Sequence, residues 1–164
     1  MDLIKLKKNG INGRDKNDSG FSIDNLKGVS FFKYFNQEEW AILKNNLCNF
    51  KYEKDENILL EGDKKEEIQG IYVVSNGSVS VSKSSLNGRY YHVRVLEQGE
   101  LFINPGLFDG GPSPATLKAI EDTQIFYIPR NVILPIISKN NKVSEGIYLI
   151  VAEIIRSAIS VIDG

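Results

Sequence analysis

The segment Ile71-Tyr72-Val73-Val74-Ser75-Asn76-Gly77-Ser78-Val79-Ser80-Val81-Ser82 reads as two strands meeting at Asn76-Gly77. β-branched and aromatic residues fill its first half, as a pleated surface favours. In its second half serine alternates with valine, which turns one face to a core and the other to water. Asn76-Gly77 is a strong hairpin signal, because both residue types tolerate the positive φ of a type I′ turn.

Working outward, turn residues recur about every ten residues between Asn49 and Pro129, the pattern of an antiparallel sandwich or barrel. The strands predicted there are Asn49–Tyr52, Ile58–Leu60, Ile71–Ser75, Ser78–Ser82, Tyr90–Leu96, Thr116–Ile120 and Gln124–Ile128. Asn87-Gly88 repeats the hairpin signal, and Glu61-Gly62-Asp63 and Glu121-Asp122 mark corners.

Helical periodicity flanks this body. Phe31, Phe32, Tyr34 and Phe35 lead into Asn36, an N-cap with Glu39 at capping-box spacing, and Trp40, Leu43 and Leu47 then share one helix face. Phe35 stands where it can staple that helix to the body. After Pro129, Asn131 is positioned to cap a short helix reaching Ser138 that Pro135 kinks or shortens. Lys139 to Lys142 read as a polar connection. Ser144 then caps a longer helix in which Ile147, Ile150, Val151, Ile154, Ala158, Ile159 and Ile162 follow heptad-like spacing, widened by Leu149, Ile155 and Val161. Such a helix needs cover on more than one side, from its own body or from a second copy. The expected organisation is a flexible tail over 1–25, a strand-rich body over 26–142 and a C-terminal helix over 143–164, available for dimerisation.

The totals restrict function. At 164 residues, with 41% hydrophobic residues, the chain can build one core. Twenty basic residues against 21 acidic ones give a net charge of −1, so no global field draws in nucleic acid or an acidic membrane. The early lysines Lys5, Lys7 and Lys8 belong to a polar segment that cannot offset its ordering entropy by burial. A single cysteine, Cys48, excludes an internal disulfide and fits a reducing, cytoplasmic compartment. No run approaches the length of a membrane span or a signal peptide.

Read in order, these elements resemble the cyclic-nucleotide-binding domain of the catabolite-activator and fumarate/nitrate-regulator sensory superfamily. The resemblance runs from about Phe31 to Asp163. It rests on the aromatic leader, Asn57-Ile58-Leu59-Leu60-Glu61-Gly62-Asp63, the Ile71 to Val79 segment, Gly88, Leu96-Glu97-Gln98-Gly99-Glu100-Leu101-Phe102, Ala115-Thr116-Leu117-Lys118-Ala119 and the closing Gln124 to Pro129. It implies an α+β fold: an antiparallel β-roll, or jelly-roll (double-stranded β-helix), with a flanking N-terminal helix, a short cassette helix and a long C-terminal helix.

The resemblance also implies a ligand site in Gly99–Ala119, GELFINPGLFDGGPSPATLKA. In that family a cyclic phosphate sits on the amides of the short helix, an arginine pairs with its charge and a glutamate accepts from the ribose. Here Asn104 stands at the glutamate position and Ser113 at the arginine position, while Ile103 replaces a common glycine and would crowd close backbone approach. The candidate ligand-binding residues are Gly99, Glu100, Phe102, Ile103, Asn104, Gly106, Leu107, Ser113, Ala115 and Thr116. Losing a charge-assisted bond costs on the order of 1.5–3 kcal/mol, against about −8 kcal/mol for micromolar binding. Binding of cyclic AMP or GMP is therefore expected to be weak, altered or absent. The amides from Asn104 to Leu107 and the Ser113 and Thr116 hydroxyls remain for another small anion, and Arg89 or Arg94 could supply a charge from the neighbouring strands.

Other chemistries lack partners. His92 is the one histidine and cannot build a metal site, and no G-x-S-x-G or nucleophile–base pair occurs. Cys48 and Trp40 read as packing residues, and Glu61 and Asp63 as a corner. The expectation is a non-catalytic regulatory module with no bound cofactor other than a possible cyclic nucleotide or small anion. A sensory fragment of a catabolite-activator-type regulator and a ligand-free interaction scaffold are the alternatives.

Overall fold

The capping box that Asn36 and Glu39 predict is formed. The Glu39 amide donates to Asn36 Oδ1 at 2.8 Å and the Asn36 amide to Glu39 Oε1 at 3.0 Å, starting helix α1 (Gln37–Asn46). The computed structural model describes residues 22–85 and 87–163, and their side chains except 90–93, 158 and 160–163. Most of the expected tail, with its lysines, lies outside the described residues. A 3-10 turn, Ile23–Gly28, already starts inside the expected tail, because Leu26 is fully buried.

Eight strands follow: β1 (Cys48–Tyr52), β2 (Asn57–Leu59), β3 (Gly70–Asn76), β4 (Val79–Ser84), β5 (Tyr90–Leu96), β6 (Leu101–Ile103), β7 (Thr116–Ala119) and β8 (Thr123–Pro129). They form two four-stranded antiparallel sheets, ordered β1-β8-β3-β6 and β2-β7-β4-β5. The sheets enclose one core, with Tyr72, Val74, Ile125 and Tyr127 of the first facing Val79, Val81, Leu96 and Leu117 of the second. The other face of the first sheet, through Ile71, Val73, Ile103, Phe126 and Ile128, packs on the helices. This explains why β3 and β8 read as continuous apolar runs: each is covered on both sides, and a fully buried aliphatic side chain contributes about 1.5–3 kcal/mol.

Asn76-Gly77 does not make a hairpin. β3 and β4 lie in different sheets, so the turn is a corner between layers. Only Gly77 of the pair takes a positive φ, 91°. A Cβ there would lie 2.5 Å from Thr123 Oγ1 and 2.6 Å from the Asp122 carbonyl, so close approach also requires glycine. The hairpin is at Gly88, φ 76°, where β4 pairs with β5 and Ser84 faces Tyr90.

Two helix starts differ from expectation. Helix α3 (Arg130–Lys139) begins after Pro129 with no side-chain cap, one residue ahead of Asn131, and runs through Pro135. Helix α4 (Asn141–Asp163) begins three residues before Ser144. Asn140 supplies its cap oxygen, while the Ser144 hydroxyl donates back to the carbonyls of Ile137 and Asn140. Val143 and Ile147 bury into the helix-side core, whereas Tyr148, Leu149, Ile154, Ile155 and Ile159 are exposed. Among the described residues no helix is long and apolar enough to cross a membrane.

Candidate functional site

The cassette begins where Gly99, with φ 85°, turns the chain back along β3. Its amide donates to the Val74 carbonyl at 2.8 Å, and the Val74 amide to the Glu100 carbonyl at 3.0 Å. The Glu100 carboxylate is spent locally: it accepts from the Glu97 amide at 3.1 Å and from Arg94 at 3.0 Å, both exposed. β6 then pairs with β3, and its alternation sorts the next side chains. Phe102 turns towards the core between the sheets, 6.4 Å from the Tyr72 ring. Ile103 turns the other way, into the helix-side core, so its side chain packs instead of crowding the interior of the roll.

Asn104 is completely buried and hydrogen-bonded through both backbone and side chain. Its amide donates to the Gly70 carbonyl at 3.1 Å and its Nδ2 to the Ile68 carbonyl at 3.2 Å. Its Oδ1 accepts from the Gly106 amide at 3.1 Å, and its carbonyl from the Leu107 amide at 2.9 Å. These last two bonds hold the start of α2 (Gly106–Asp109), the short helix of the cassette, whose N-cap position is Pro105. The Phe108 amide donates to Pro105, the Gly110 amide to Gly106 and the Gly111 amide to Asp109 Oδ1. A Cβ on Gly106 would sit 2.6 Å from the Gly111 carbonyl, so the segment is folded tightly on itself. Phe108 is exposed.

Ser113, 2% exposed, is equally engaged. Its hydroxyl donates to the Ala115 carbonyl at 2.8 Å and its amide to the Asp63 carbonyl at 2.9 Å, while its own carbonyl accepts the Gly62 amide at 2.8 Å. Ala115 is buried between the sheets, and Thr116 Oγ1 accepts from the Glu61 amide at 3.0 Å. The Glu61-Gly62-Asp63 corner thus clasps the end of the cassette. Two donated bonds, from the Ser84 amide and hydroxyl, hold the Glu61 carboxyl below the usual carboxylate range.

Pro105, Pro112 and Pro114 carry no N–H, and the amides of Asn104, Gly106, Leu107, Phe108, Gly110, Gly111 and Ser113 all have protein partners. These seven amides, together with the Ser113 hydroxyl, are therefore engaged within the chain. Arg89 is exposed in the hairpin and Arg94 is paired with Glu100. The guanidinium that does reach the cassette is Arg130, whose Nε donates to the Leu107 carbonyl at 2.8 Å. No local sequence signal marks that contact, because it joins the start of α3 to a helix 23 residues earlier. His92 lies on β5, and its side chain is outside the described residues. Cys48 is half-buried at the start of β1, not at the end of α1. Among the described residues no group of His, Cys, Asp and Glu is arranged to hold a metal ion.

A two-sheet roll closed by helices, with a glycine- and proline-rich helical cassette between β6 and β7, defines the class of fold. The sequence profile of the cyclic nucleotide-binding domain matches residues 49–140, and the chain belongs to that family. It is 27% identical over 133 residues to the cyclic AMP receptor protein of Thermus thermophilus, covering 81% of this chain and 60% of that protein. The crystal structure of the Thermus thermophilus catabolite activator protein superposes with a TM-score of 0.70 at 26% identity, over 81% of this chain and 61% of that one. The sensor domain of the transcriptional regulator DNR from Pseudomonas aeruginosa shares the fold, with a TM-score of 0.70 at 16% identity, over 82% and 89% of the two chains. The chain spans about 60% of the length of the Thermus relative. The family and these relatives are regulators, not catalysts.

Proposed function

We propose that this chain is a regulatory module of the catabolite-activator sensory type whose cassette is held closed by its own hydrogen bonds, with cyclic AMP and GMP binding weak or absent. The observation that carries this reading is the fully buried Asn104, whose Oδ1 occupies the Gly106 amide where an anion would otherwise be received. An entering phosphate would have to displace that bond, and the guanidinium that reaches the cassette, Arg130, already donates through Nε to the Leu107 carbonyl. Phe102, packed on Tyr72, fills part of the roll interior and favours an interaction scaffold over a nucleotide receptor.

The partner proposed is a second copy, seated on α4. Tyr148, Val151, Ile155 and Ile159 form an exposed apolar stripe at coiled-coil spacing, and Tyr148 is 68% exposed in the single chain. A ligand acting through the cassette would change how α4 packs only if it bound the two arrangements unequally. The proposed compartment is the cytoplasm, consistent with a sequence that contains a single cysteine.

The test is calorimetric titration with cyclic AMP, cyclic GMP and cyclic dinucleotides, of the wild type and of Asn104→Glu/Ser113→Arg. The wild type is expected to give no saturable cyclic AMP heat, and any gain should require the double variant. Micromolar or tighter cyclic AMP binding by the wild type would overturn the reading.

A further inference from the structure

One residue, Asn140, separates α3 from α4, with φ −108° and ψ 104°. The direction in which α4 leaves the body therefore turns on that residue's two torsions. Its side chain has two separable roles. As a cap, Oδ1 accepts from the amides of Lys142 at 3.1 Å and Val143 at 3.4 Å, serving the open first turn of α4. As a tie, Nδ2 donates to Glu39 Oε1 at 2.8 Å and to the Tyr34 carbonyl at 3.1 Å.

The acceptor is itself anchored. Glu39 is 8% exposed, and the same Oε1 accepts the Asn36 amide at the start of α1. A hydrogen bond to a carboxylate is roughly twice as strong as a neutral one and holds its geometry better. Beside this corner lies a cleft of about 550 Å³, with Ile42, Pro135, Lys139 and Lys142 in its walls. On that side the corner is spanned by the polar tie and by Lys142, whose Nζ lies 5.4 Å from the centre of the Tyr34 ring. Val143 and Ile147 bury against the body, but past Ile150, itself half-buried, Ile154, Ile155 and Ile159 stand exposed, so a small change at Asn140 is amplified along the helix.

We infer that Asn140 and Glu39 form a latch between α4 and α1 that fixes the angle of α4 and hence the direction in which its apolar stripe faces. The latch needs neither a cassette ligand nor a second copy. Asn140→Asp separates the two roles: it keeps the cap oxygen, removes the Nδ2 donor and sets a carboxylate against Glu39. In the wild type, amide residual dipolar couplings of α4 and of the β-roll should fit one alignment tensor. In Asn140→Asp, α4 should require its own, smaller tensor while far-UV circular dichroism is unchanged. Adding Glu39→Gln reverses donor and acceptor and should restore the single tensor. A single tensor in Asn140→Asp, or no rescue by the double variant, overturns the latch. If Asn140→Asp does not fold, the double variant decides: a folded protein with one shared tensor supports the latch, and an unfolded or two-tensor protein overturns it.

Discussion

Replacing Asn104 by alanine asks whether this residue holds the cassette together or serves a ligand. The substitution removes an acceptor from the buried Gly106 amide and a donor from the Ile68 carbonyl. The two losses are unequal. The Gly106 amide has no alternative partner in the cassette, and an orphaned buried donor costs about 1–3 kcal/mol. The Ile68 carbonyl keeps the Tyr72 hydroxyl at 2.6 Å, so only a net bond of about 0.5–1.5 kcal/mol is lost there. Together they predict a destabilisation of about 2–4 kcal/mol. With a urea slope of about 2 kcal/mol/M, the unfolding midpoint should fall by about 1–2 M with the slope unchanged. The assay is equilibrium urea unfolding followed by circular dichroism, beside a cyclic AMP titration of both proteins. A midpoint shift below about 0.3 M would refute the reasoning from those two bonds. Cyclic AMP binding present in the wild type and lost in Asn104→Ala would show instead that the amide side chain serves a ligand.

Gly77→Ala should destabilise by about 2–4 kcal/mol, from a positive φ plus overlap with Thr123 and Asp122, seen as a melting temperature lowered by roughly 5–15 °C. Burial holds the hydroxyls of Tyr52, Tyr72 and Tyr127 well above the usual tyrosine range. The folded state therefore keeps protons that the unfolded state gives up, so stability is full below pH of about 10 and is lost as pH climbs towards the folded values. In an alkaline titration the phenolate absorbance of these three tyrosines should appear only as circular dichroism is lost; earlier ionisation would contradict their burial. Ile155→Glu, at a residue 54% exposed in the single chain, should shift sedimentation from the proposed dimer to monomer while changing chain stability by no more than about 0.5 kcal/mol.

What was legible in the sequence was local. The Asn36–Glu39 box, the alternation of Val79 and Val81 and the runs at Ile71 and Ile125 each carry their signal within a few residues and fold as read, except that Ser80, on the face read as wet, is buried. The corner at Gly77 was misread because Asn-Gly reports a tight turn and not which strands flank it in a sheet. Strand β6 went unseen because three residues are too few to show a period. Lys139 to Lys142 reads as a polar connection with Ser144 as the next cap, whereas Asn140 takes that role and is tied to Glu39 and Tyr34, contacts that are remote in sequence. The expectation that Asn104 and Ser113 stand where the family keeps a glutamate and an arginine comes from the resemblance alone. The bonds these two residues make were not legible, because they run to Ile68, Gly70 and Asp63, far away in sequence.

The sheet order also governs how the molecule comes into being. β1 has one neighbour, β8, and Cys48 meets Tyr127 across that seam. During synthesis the first strand must wait, unpaired, until the last has left the ribosome, so closure is a late, non-local event that favours slow folding. Partial chains ending before Pro129 would expose the edge of β1 and the apolar faces of β3, surfaces prone to aggregate. In the cell, chaperone demand should peak in that interval and end when β8 docks.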